Sequence, residues 1–67
     1  MTPYTPEQRA DLAKLIEARA KRLWVEADAC HHAKDPAGDR RYRTEAEVLE
    51  DLAREIRDGS FFEVHHD

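Results

Sequence analysis

Two groups of residues bring together the side chains that hold zinc. Cys30-His31-His32 and His65-His66 supply one thiol and four imidazoles. Their spacing works against a shared site. Adjacent helical residues diverge by about 100°, so three in a row do not converge on one ion. If the chain doubles back, His65 and His66 fall beside its start, about 33 Å of helix away from Cys30. Only a head-to-tail pair of chains would unite the two groups. The simpler expectation is that Cys30 acts as a small buried hydrophobe. His31 and His32 then sit at a helix C-terminus, where partial positive charge suits the dipole. Neither a metal nor another cofactor is expected.

Acid–base and nucleophilic chemistry fare no better. Glu47, Glu50, Asp51, Glu55 and Asp58 form a charged stripe, with no apolar cleft to split the pKa values of two carboxyls into acid and base roles. Cys30 beside His31 resembles a nucleophile and its base only along the chain, whereas the pair must also meet in space. Gly38 and Gly59 are the only glycines; each is expected at a helix end, and no phosphate-cradling loop exists. The chain is expected not to be an enzyme.

Arg40-Arg41-Tyr42-Arg43 has the local look of a nucleic-acid contact, a basic cluster with an interleaved aromatic. Arg40, Arg41 and Arg43 could neutralise a few phosphates. From residue 44 onward, however, two basic residues face eight acidic ones, a balance of −6 that repels the same backbone. No helix-turn-helix follows either, since that motif needs a recognition helix rich in polar and basic groups. A nucleic-acid-associated regulator therefore stands as an alternative. A second alternative turns the charge around, the acidic stripe imitating nucleic acid to occupy a DNA-binding protein.

These residues must be positioned by helices. Thr5-Pro6-Glu7-Gln8 is a capping box with proline at the first helical position. Nothing then interrupts a helix until Asp35-Pro36-Ala37-Gly38, so the first is predicted over about 6–34. Leu12, Ile16, Leu23, Ala27 and Cys30 share one arc of it, flanked by Leu15 on one side and Ala13, Ala20 and Trp24 on the other. Tyr42, Ala46, Leu49, Leu52, Ala53 and Ile56 repeat the pattern in a second helix, predicted over about 39–58 and stopped by Gly59. Its start is ambiguous: Tyr42 extends the apolar face back to Asp39, while Thr44-Glu45-Ala46-Glu47 offers a capping box that would begin it at Glu45.

The fold class is thus all-α, an antiparallel two-helix hairpin with a short C-terminal tail, a single domain over 1–67. With the turn near Ala37, the register sets Cys30 near Tyr42 and Ala46, Leu23 near Leu49 and Leu52, and Ile16 near Ile56. Two helices make one thin seam, and 67 residues with ten alanines among 27 apolar side chains leave little for a core. Chains this small rarely hold together alone, and a lone cysteine forms no internal disulfide. The expected solution is a homodimeric four-helix bundle.

Candidate partner-binding residues follow from what the hairpin does not absorb. Trp24 lies at the rim of the apolar arc with Val25 beyond it, and tryptophan is enriched at binding hot spots. Phe61 and Phe62 form an apolar tail. Arg19 and Glu26 fall on the seam side one heptad apart, where charges could fix register between subunits. Eleven basic and fifteen acidic residues give a net charge of −4, ordinary for a soluble protein. No stretch approaches the roughly 20 apolar residues of a membrane span, and Met1-Thr2-Pro3-Tyr4 has neither the basic nor the apolar part of a signal peptide. A cytoplasmic, non-catalytic protein-binding or regulatory factor of bacterial or phage type is the expected function.

Overall fold

In a computed structural model, which describes residues 4–61, the chain forms two helices packed against each other. Helix α1 spans Pro6–His32 and α2 spans Pro36–Asp58. The N-terminus of α1 is the capping box read from the sequence: Gln8 N–H donates to Thr5 Oγ1 at 3.1 Å, and Thr5 N–H donates to Gln8 Oε1 at 2.9 Å.

The reversal differs from expectation. It occupies only Ala33, Lys34 and Asp35, and α2 starts at Pro36 rather than at Asp39 or Glu45. Asp35 is the N-cap, its carboxylate accepting from Gly38 N–H at 3.2 Å, and Pro36 takes the first helical position, where its missing N–H costs nothing. Helix α1 ends in a Schellman motif: Asp35 N–H donates to Cys30 C=O at 2.8 Å and Lys34 N–H to His31 C=O at 3.2 Å. Lys34 itself adopts the left-handed conformation, φ 60°. A lysine thus fills the position that sequence reasoning reserves for glycine, which is why Gly38 looked like the turn.

Gly38 instead lies inside the first turn of α2. A Cβ there would come within 2.5 Å of the Asp35 carboxylate and 2.9 Å of Cys30 Sγ, so glycine is required by close approach. Gly59 ends α2 as expected, with φ 87° and its N–H donating to Ile56 C=O at 3.3 Å. The Arg9 guanidinium from the start of α1 covers it, within 2.5 Å of where a Cβ would stand.

The seam is the second correction. The buried apolar residues are Ala13, Ala20, Leu23, Ala27, Ala46, Ala53 and Ile56, and five of these seven are alanine. Ala13, Ala20 and Ala27 are spaced by seven on α1, as are Ala46 and Ala53 on α2. Small side chains let two helices approach toward the short end of the usual range of about 8–10 Å. The larger residues expected to meet in the seam, Leu12, Ile16, Leu49 and Leu52, are consequently displaced to its flank and only half buried, as are Cys30 and Tyr42. Near the turn Cys30 packs at Gly38, its Sγ 2.9 Å from where a Cβ there would stand. Farther from the turn the expected register holds, with Trp24 against Glu50 and Glu17 against Arg57.

The result is a slab one helix thick, 47 × 22 × 12 Å. No helix among the described residues is long and apolar enough to cross a membrane.

Candidate interaction surface

The two broad sides of the slab differ chemically because the alanine seam splits each helix into two flanks. On one side Lys14, Glu17, Ala18, Lys21, Glu50, Arg54 and Arg57 line an open cleft. Ion pairs cross or border it: Arg57 donates to Glu17 at 2.8 Å between helices, and Arg54 to Asp51 at 3.2 Å within α2. Trp24 lies along this side half buried, its indole N–H donating to Glu50 Oε2 at 3.2 Å.

The other side is apolar. Arg19, Leu23, Thr44, Glu45, Val48 and Leu49 line a shallow groove that spans both helices. Around it Leu12, Ile16, Leu49 and Leu52 are half exposed, and the side chains farthest from the seam are open: Leu15 is 71% and Val48 59% exposed. Leu15 was legible as a flank of the arc, but Val48 was missed because it stands among the acids of α2. The signal that finds it is the alanine heptad. Once Ala46 and Ala53 mark the contact line, Val48 and Leu49 fall on the same flank as Leu52.

The predicted partner residues are scattered over this geometry. Arg19 lies in the apolar groove, and Glu26 is exposed one heptad along the same flank of α1. Trp24 is held by Glu50 on the charged side, and Val25 is 67% exposed. Phe61 is half buried, and Phe62 lies outside the described residues.

The arginine cluster is divided. Arg43 donates to Asp39 at 3.0 Å, Arg41 stacks over the Tyr42 ring at 5.0 Å, and Arg40 is exposed. Two of the three guanidiniums thus have a partner within their own helix.

At the turn, His31 Nδ1 lies 3.7 Å from Asp39, and His32 donates from Nδ1 to Asp28 C=O at 2.8 Å. Among the described residues no three His, Cys, Asp or Glu side chains are grouped to hold a metal ion; His65 and His66 lie outside them. Partial burial, then the carboxylates of Asp35, Glu26 and Asp39, raise the Cys30 thiol above its ordinary 9.0, with Arg41 pulling the other way. That environment favours the neutral thiol. At the far end, the hydrogen bonds from Ser60 hold the Asp58 carboxyl below its ordinary 3.8.

Compared with known protein families, curated proteins and solved structures, the chain matches none.

Proposed function

We propose that this chain is a small non-catalytic protein-interaction or regulatory factor that works through the apolar side of its hairpin. A homodimeric four-helix bundle is the assembly in which that side is covered. The observation that supports this reading is the mismatch between what is buried and what is not. The seam buries mostly alanine, while Leu15 and Val48 stand open and Leu12, Ile16, Leu49 and Leu52 are half covered. Burying apolar surface contributes about 25 cal/mol per Å², so a hairpin built this way leaves much of its available stabilisation to be collected by association. A contiguous apolar side rimmed by charge is the usual mark of a protein interface.

A photoreactive side chain placed at Val48 tests the proposal in cells, with one at Lys14 on the charged side as control. Protein adducts, whether with a second copy or another chain, are expected from position 48 and few or none from position 14. Equal yields from both positions, or none from 48, would overturn the reading.

A further inference from the structure

We propose that the occupant of the apolar side is a second copy of this chain, related by a two-fold axis that crosses α1 between Arg22 and Leu23, at the apolar groove. The inference rests on the reading of the apolar side as an interface and adds its partner and register. Its basis is a coincidence of charges. On α1, Arg19 and Glu26 are exposed on the apolar flank and make no hydrogen bond or ion pair among the described residues. Opposite in sign and seven residues apart, they are centred between Arg22 and Leu23.

An antiparallel two-fold axis at the centre of such a pair sets each arginine beside the partner copy's glutamate. Leu23 lines the apolar groove, so an axis at this point passes through it. Each α1 then runs antiparallel to the partner's α1, and each α2 to the partner's α2. Arg19 meets Glu26 of the partner subunit twice per dimer. An interface of this kind is isologous, with the same patch used by both copies. The area suffices: the slab's broad side measures 47 by 22 Å, against about 800 Å² buried per partner in a standard interface. The apolar groove supplies affinity, and the charges select the register, since like charges set opposite one another oppose binding.

The arrangement makes a test that a merely soluble surface pair would not pass. R19E and E26R each place like charges across the axis twice, so each is expected to weaken self-association by at least roughly tenfold. Mixed in equal amounts, the two variants pair an acid-bearing chain with a base-bearing one at both contacts, so heterodimer is expected near wild-type affinity. Sedimentation equilibrium on the separate and mixed chains, one carrying a mass tag, reads all three. Circular dichroism confirms that each variant remains helical, as expected for exposed positions. Wild-type dimer with single variants unchanged, or a mixture that fails to pair, overturns the two-fold register while leaving self-association standing. Wild type that stays at one chain mass at millimolar concentration overturns the second copy as occupant. Adducts from position 48 with other proteins would then still sustain the interaction reading.

Discussion

Lys34 stands where glycine is favoured, and Gly38 stands inside a helix, where by propensity it is not. Lys34 is in the left-handed region with φ 60°, where a β-carbon is strained and glycine is not. Gly38 is helical, where glycine lowers stability by about 1 kcal/mol relative to alanine, yet it is hemmed in by Asp35 and Cys30. K34G is expected to stabilise the hairpin by about 0.5–1 kcal/mol. G38A is expected to destabilise it by about 1–2 kcal/mol, because the overlap displaces the Asp35 cap and outweighs the gain in helix propensity. Urea denaturation of both variants checks the pair. Combining G38A with Cys30→Ala should recover part of the loss, since removing Sγ relieves one of the two contacts.

At the scale of the helices, the decisive feature is the alanine line. Replacing Ala20 by leucine would force four-carbon bulk into a contact closed to solvent, and overpacking of this sort costs about 1–3 kcal/mol. The same change at exposed Ala18 on α1 should be nearly neutral, and thermal melts of the two variants make the comparison. The line also explains what the sequence disclosed. Both helices, their antiparallel pairing, the Thr5 box and the Gly59 stop were legible, because capping chemistry and a 3.6-residue apolar period act locally. The face in contact was not. A broad arc containing Leu12, Ile16, Ala13 and Ala20 does not reveal which sector touches the neighbour, and large side chains drew attention to the wrong one. The start of α2 was misplaced for a related reason: Pro36 read as a breaker, although proline is equally at home as the first residue of a helix. Of the candidate surface, Arg19, Glu26 and Leu15 were visible in the pattern. Val48 was not, because nothing local distinguishes it from an isolated exposed valine.

For the molecule as a whole, a slab 12 Å thick is a single layer, whereas stable domains stack at least two. If a second copy provides the other layer, folding and assembly are linked, and the melting temperature should rise with protein concentration. Calorimetry over a hundredfold range checks this; a melting temperature independent of concentration would indicate that the single layer stands alone. The turn also limits how copies can meet. It holds only three residues, and short reversals of this kind invite a chain to straighten and trade halves with a neighbour. Pro36 obstructs that route, because in a continuous helix its ring would collide with the carbonyl of His32 and its nitrogen could donate no hydrogen bond. The residue that begins α2 therefore also keeps the chain from becoming one long rod, so each copy comes to any encounter already folded upon itself.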